Sequence, residues 1–226
     1  MWCLVTDISA NSLKKRKLVA VMGGTFDPVH HGHLRSALEL KQLLNLDQLR
    51  LLPCHQPTHR GVPRTQAEQR LQMLRLAVAD EPSLYIDDRE IRLDQPSYSV
   101  YSLQSLKAEL GDSVTLFWVL GVDSFASFTR WHRWQEILQL ANLIILTRPG
   151  FTLGENTPEQ KLWQANRADC AELEKADCGK IYALQLPSQL EISATFIRDQ
   201  LQQGCSVRYL LPDAVLNYIQ QQQLYG

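Results

Sequence analysis

The chain has 226 residues, 45% of them hydrophobic and 21% charged, with 23 Lys and Arg against 24 Asp and Glu. That length suits one domain, or one with a small appendage, and the composition excludes a disordered tail, a coiled coil and a collagenous repeat. The net charge of −1 leaves no global basic field to hold nucleic acid non-specifically, so any phosphate must be met by a local arrangement.

Residues 1–17 lack periodicity and end in Lys14-Lys15-Arg16-Lys17. They read as a solvated extension, with an anion-binding arm as the weaker alternative. They are not a secretory signal, because the apolar residues precede the basic ones. Residues 18–226 read as a single domain. Leu18–Met22 is a short apolar run ending at Gly23-Gly24, and a helix follows over His31–Leu44. A second run, Leu49–Pro53, precedes a helix over Thr65–Ala79, opened by Thr65-x-x-Glu68 in the pattern of a capping box. Leu84–Ile91 reads as a half-buried strand. The next predicted helix, Ser97–Leu110, stops at Gly111, a plausible C-cap. Val114–Leu120 ends at Gly121 and is followed by a helix over Trp134–Ala141. Leu143–Thr147 ends before Arg148-Pro149-Gly150. Residues 151–178 form a polar insertion, with a helix over Glu159–Lys175. Ile181–Leu186 is the last strand, and the helices Ala194–Gln203 and Asp213–Gln222 close the chain.

Continuous apolar runs suit strands covered on both faces. Strands alternating with helices imply right-handed crossovers. The expected fold is therefore α/β, a three-layer sandwich around a parallel sheet of five or six strands. No apolar run approaches the ~18 residues of a membrane helix. Five cysteines, odd in number and without a C-x-x-C pair, fit reduced thiols in a cytoplasmic protein. The composition leaves the oligomeric state open.

In an open parallel sheet, ligands bind beyond the carboxyl ends of the strands. The first strand runs into Gly23-Gly24-Thr25-Phe26-Asp27-Pro28-Val29-His30-His31-Gly32-His33 and then a helix. Glycines allow close backbone approach, and the unpaired N–H groups of a helix start attract anions. Neither a Rossmann fingerprint nor a Walker loop is present. Five of the six histidines fall between His30 and His59. His30 and His33 are three apart, so both can face one side of the first turn and donate to a phosphate. Helix capping and metal binding are the alternatives. No spacing here matches a zinc pattern, and capping explains one histidine but not the glycine turn beside two. Near the other end, Ser193 or Thr195 can cap the helix that carries Arg198, a guanidinium able to fork onto phosphate oxygens.

The first of these motifs resembles the G-G-T-F-D-P-V-H-x-G-H signature of the nucleotidyltransferase superfamily. Ile192-Ser193-Ala194-Thr195-Phe196-Ile197-Arg198 is similar to its I-S-x-T-x-I-R element. Other segments resemble one branch, the bacterial nicotinate-nucleotide adenylyltransferases: Pro53 to Arg60, Pro96-Ser97-Tyr98-Ser99, Gly121-Val122-Asp123-Ser124 with Trp131, and Thr147-Arg148-Pro149-Gly150. The chain departs from that branch at Thr58, at Ser99, and at His132, where a lysine often follows the tryptophan.

The resemblance implies transfer of AMP from ATP to nicotinate mononucleotide, with Mg²⁺ carried mainly on the ATP phosphates and no metal site of protein ligands. His30, His33 and Arg198 would be catalytic. Gly23, Gly24, Thr25, Phe26, Gly121, Asp123, Arg148, Ser193 and Thr195 would join them in binding ATP. His59, Arg60, Tyr98, Ser99, Asp123 and Trp131 would receive the mononucleotide. Trp131, flanked by Arg130, His132 and Arg133, suits stacking on a flat, electron-poor ring, while Trp134 is the better core candidate. Asp123 can also be a helix N-cap. Nicotinamide mononucleotide or phosphopantetheine as acceptor, an ATP-sensing module and a zinc hydrolase remain as alternatives.

Overall fold

The computed structural model describes residues 16–57, 61–93, 95–147 and 153–226. In chain order these form β1 (Lys17–Gly24), α1 (His31–Leu43), β2 (Gln48–Pro53), β3 (Gln56–Pro57), α2 (Ala67–Ala77), β4 (Leu84–Ile86) and α3 (Arg89–Arg92). They continue with β5 (Pro96–Ser97), α4 (Ser99–Leu110), β6 (Val114–Gly121), α5 (Val122–Phe125), a 3₁₀ turn over Phe128–Arg130, and α6 (Trp134–Leu140). The remainder is β7 (Asn142–Leu146), α7 (Pro158–Asn166), α8 (Cys170–Lys175), β8 (Ile181–Leu184), α9 (Ala194–Gln202) and α10 (Asp213–Gln221).

Six strands make one sheet in the order β4-β2-β1-β6-β7-β8, with every neighbouring pair parallel. Alternate residues of one strand face opposite layers. Leu18 and Ala20 of β1 join Phe117 and Val119 of β6 in a core that takes in Leu34 and Leu40 of α1, Leu74 of α2 and Ile219 of α10. Val19 and Val21 join Leu116 and Trp118 in a second core with Leu103 of α4 and Ile137 of α6. The expected three-layer α/β sandwich is therefore the fold. The strand order reverses between β1 and β6, and their carboxyl ends flank the crevice where such folds bind ligands.

Four local expectations differ from the structure, each because a hydrogen bond outside the local pattern intervenes. The strand expected over Leu84–Ile91 ends at Ile86, because Asp87 accepts from the Arg89 backbone N–H and Nε at 3.2 and 2.8 Å and turns the chain into α3. Thr65 does not open a capping box. Its hydroxyl donates to Asp27 Oδ1 at 2.7 Å, and the reciprocal pair that caps α2 is Gln66 with Gln69. Ser97, expected as the first residue of a helix, lies instead with Pro96 in β5, which pairs with β3. The single helix expected over Glu159–Lys175 is two, because Arg167 bridges to Ile181 beside β8 and Asp169 then caps α8 by accepting from Glu172 N at 2.8 Å. At the end of α4, Gly111 takes φ +68 as the expected C-cap, a conformation that costs glycine little.

Candidate active site

β1 ends at Gly23 and Gly24, and the chain then turns sharply through Phe26 at φ +51. A Cβ on Gly24 would stand 2.8 Å from the Phe26 ring, and one on Gly32 would stand 3.0 Å from the His30 ring and 3.4 Å from the Ile192 carbonyl oxygen. Both glycines are therefore needed for close packing of the turn. His30 occupies the N-cap of α1 but makes no side-chain capping bond, so capping does not account for it. Its ring stacks on His33 at 3.7 Å with a 26° tilt, and the Phe26 ring meets His33 edge-on at 5.0 Å. His30 is buried. Burial, and then the neighbouring His31 charge, lowers its pKa to about 4, so the ring is a neutral imidazole at pH 7. Its Nδ1 is enclosed without a hydrogen-bond partner among the described residues.

The second helix start arrives at the same place. Ser193 caps α9 by accepting from Phe196 N at 3.1 Å. Arg198 Nη1 donates to the Asp27 backbone carbonyl at 2.6 Å, and Nη2 donates to Thr195 Oγ1 at 3.1 Å. The His31 N–H donates to the Leu210 carbonyl at 2.9 Å. Arg198 thus touches the glycine-histidine turn across 171 residues of chain, and Asp27 is the joint. Asp27 Oδ1 accepts from the Thr65 and Tyr225 hydroxyls, each at 2.7 Å, and Oδ2 accepts from Arg64 N at 2.8 Å.

Across the crevice, Gly121 stands at the N-cap position of α5, and Asp123 lies exposed in its first turn. The 3₁₀ turn presents Trp131, whose ring lies 5.4 Å from Phe128, while Trp134 packs 6.0 Å from the same ring. Both tryptophans are half-buried against the second core, so the expected contrast between them is absent. Tyr98 and Ser99 start α4. His132 lies 4.5 Å from the Tyr98 ring and 3.1 Å from the Tyr101 hydroxyl. His59, Arg60 and Arg148 lie outside the described residues.

Sequence reasoning missed four supports. Arg70 is buried and donates to the carbonyls of Thr25, Cys54 and His55 at 2.8, 2.7 and 2.9 Å, fastening the carboxyl ends of β1 and β2 together. Its position among Ala67, Leu71 and Leu74 on the apolar stripe of α2 was a usable signal. Glu90 accepts from Ser102 Oγ at 2.5 Å, and burial pushes its carboxyl above the ordinary range. Ser97 Oγ accepts the His55 N–H at 2.9 Å. Tyr225 carried no signal at all, because its target is almost the whole chain away.

The site's donors are imidazoles, backbone N–H groups and a guanidinium, a set matched to phosphate. Among the described residues no three His, Cys, Asp or Glu are grouped to hold a metal ion. Mg²⁺ bound to a nucleotide needs no such cage, because water and phosphate oxygens fill most of its shell. Among the described residues no helix is long and apolar enough to cross a membrane.

Residues 21–200 match the cytidylyltransferase-like family. The chain is 49% identical to the "Probable nicotinate-nucleotide adenylyltransferase" of Cellvibrio japonicus over 210 residues, covering 93% of this chain and 99% of that one. It is 42% identical to the protein of the same name from Serratia proteamaculans, covering 95% of this chain and 98% of the other. The chain belongs to the nicotinate-nucleotide adenylyltransferase family. Among solved structures, the nicotinic acid mononucleotide adenylyltransferase of Plasmodium falciparum complexed with NaAD superimposes with a TM-score of 0.72 at 18% identity. It covers 92% of this chain and 97% of its own. At that identity the likeness is one of fold. The two helix starts that meet at Asp27 border the crevice between β1 and β6.

Proposed function

We propose that the chain transfers AMP from ATP to nicotinate mononucleotide, yielding nicotinate adenine dinucleotide and pyrophosphate on the way to NAD. The observation that carries the assignment of roles is the junction at Asp27. There the stacked His30 and His33 and the guanidinium of Arg198 come from opposite ends of the chain to one anion-binding corner.

No protein nucleophile is needed. An oxygen of the mononucleotide phosphate bonds to the α-phosphorus of ATP while the bond from that phosphorus to the pyrophosphate oxygen breaks, in line. The chain supplies positioning and charge stabilisation. Gly23, Gly24, Thr25 and Phe26 bring backbone close to the nucleotide. His33 and the neutral His30 donate N–H groups to the phosphates. Ser193, Thr195 and Arg198 hold the leaving pyrophosphate, with Arg148 as a further cation by resemblance. Gly121 and Asp123 face both substrates from the far wall. Trp131 offers its ring to the pyridine, whose carboxylate meets the start of α4 at Tyr98 and Ser99, with His59 and Arg60 toward the mononucleotide phosphate. Mg²⁺ bound to ATP supplies charge neutralisation on the phosphates, and the chain's part is to place those phosphates.

A single domain over residues 18–226, preceded by an extension, fits six strands in one sheet. The four described cysteines are free thiols, which supports a cytoplasmic setting.

The test is pyrophosphate release from Mg-ATP with nicotinate mononucleotide, nicotinamide mononucleotide and phosphopantetheine in parallel, for the wild type and His33→Ala. Strong preference for the nicotinate form is expected, with kcat lower in the variant by on the order of 10²–10³-fold, as for loss of one charge-stabilising donor. Preference for another acceptor would discard the roles of Ser99 and Trp131. Near wild-type turnover in His33→Ala would discard the role of the histidine turn.

A further inference from the structure

We infer that Tyr225 is a positioning residue for the triphosphate corner: its hydroxyl occupies the Asp27 carboxylate and so leaves the Arg198 guanidinium open to phosphate. The inference rests on the reading of Arg198 as the guanidinium that meets the pyrophosphate.

Asp27 is buried at the centre of the glycine-histidine turn. A bare carboxylate there would draw the nearest cation into a closed, two-pronged ion pair, the preferred geometry of arginine with carboxylate. That pair is not formed. Arg198 Nη1 stands 4.0 Å from Asp27 Oδ2, beyond hydrogen-bond range, and donates instead to the backbone carbonyl of the same residue at 2.6 Å. The carboxylate is already occupied. Oδ1 takes the Tyr225 and Thr65 hydroxyls, and Oδ2 takes the Arg64 N–H. Arg198 is therefore held through Nη1 by a backbone carbonyl, and its guanidinium is not closed onto the carboxylate. Among the described residues, Nη2, which carries two N–H groups, makes one bond, to Thr195 Oγ1, while Nε is enclosed and without a partner.

Tyr225 is placed for this purpose at a conformational cost. The chain leaves α10, Leu224 N returns to the Ile219 carbonyl at 3.0 Å, and Gln223 and Tyr225 both take left-handed backbone angles, φ +51 and +66. Such a conformation disfavours a bulky side chain by about 1–3 kcal/mol and persists where surrounding contacts demand it. Here the contacts are the packing of the Tyr225 ring in the core and the bond of its hydroxyl to Asp27. Burial, then the hydrogen bond to Asp27 and the charge of that carboxylate, push the phenol well above its ordinary pKa, so it remains a donor throughout the working range.

The experiment compares Tyr225→Phe, Arg198→Ala and the double variant, with kcat and KM for each substrate and a thermal melt for each protein. Phenylalanine keeps the packing and removes only the hydroxyl. The expected result is a loss of kcat/KM for ATP of about tenfold, the scale of one hydrogen bond to a charged group. The KM for the mononucleotide should stay within about twofold, and the double variant should lose nothing beyond Arg198→Ala, since coupled residues are not additive. Thr65→Val, which removes the other hydroxyl on Oδ1, should repeat the pattern and serves if Tyr225→Phe fails to fold. Wild-type kinetics in both hydroxyl variants would overturn the inference, as would equal losses toward both substrates or an additive loss in the double variant. Full activity in Arg198→Ala would instead overturn the reading of Arg198 itself, and the inference with it.

Discussion

At the scale of single residues, the site is built on one protonation state. His30 is closed off by His33, by the absence of a side chain at Gly32 and by the core behind it. Water cannot solvate its charge there, and its pKa falls to about 4 from an ordinary value of about 6.5. The sign of the effect on folding follows. Between pH 6.5 and 4 the unfolded chain binds a proton that the folded chain refuses, so stability should fall as pH is lowered through that window. Nuclear magnetic resonance of the His30 Cε1–H should show titration near pH 4 in the free protein. With a triphosphate bound, the anion favours the imidazolium, and the midpoint should rise by about one unit or more. Titration near 6.5 in the free protein would show that the ring is solvated.

At the scale of elements, the wall opposite the histidine turn is two short segments brought together. The 3₁₀ turn over Phe128–Arg130 delivers Trp131, and the start of α4 delivers Tyr98 and Ser99. His132 bridges them through ring contacts with Tyr98 and Tyr101. Trp131→Ala should raise the KM for nicotinate mononucleotide on the order of tenfold, the scale of one aromatic stack, while the KM for ATP changes little. Steady-state kinetics with each substrate varied in turn would reveal equal changes if Trp131 is only a packing residue against Phe128. The elements themselves were legible wherever periodicity ran unbroken, as in β1, β6, α1 and α10. They were misread where a side chain serves a distant partner. Thr65 carries the pattern of a cap, yet its hydroxyl belongs to Asp27. Ile86 carries the pattern of a continuing strand, yet Asp87 ends it.

At the scale of the whole molecule, the edge of the sheet is tied by charge. Arg50 of β2 and Asp87 after β4 are both buried, and they pair at 3.0 Å, with Arg89 at 2.8 Å on the other carboxylate oxygen. Burial alone would raise the Asp87 pKa, but the hydrogen bonds and charge of Arg89 and Arg50 prevail and hold it below the usual carboxylate range. A depressed carboxyl contributes stability above its unfolded pKa and loses it as pH falls through the folded value. Asp87→Asn should therefore cost about 2 kcal/mol at pH 7, the scale of hydrogen bonds to charged groups, because it leaves the buried Arg50 with the more exposed Glu109 carboxylate, at 3.0 Å, as its acidic partner. The deficit relative to the wild type should shrink below about pH 4. Urea unfolding at pH 7 and pH 3 measures both, and a constant deficit would show that the Asp87 charge is not what matters.

By itself the sequence determined the alternation of strand and helix, the parallel sheet, and the two helix starts proposed to meet phosphate. These depend on local periodicity, on glycine and on capping chemistry, which neighbouring residues dictate. The tertiary structure alone decided that Arg198 meets the turn at Asp27 and that Tyr225 and Thr65 occupy that carboxylate. It likewise placed Arg70 to bind two strand ends from within an apolar stripe and His132 against Tyr98. Each of these is a pairing of polar groups across a large separation in the chain. A buried donor must find an acceptor somewhere, but no local pattern says where, because the partner is chosen by which strands lie side by side.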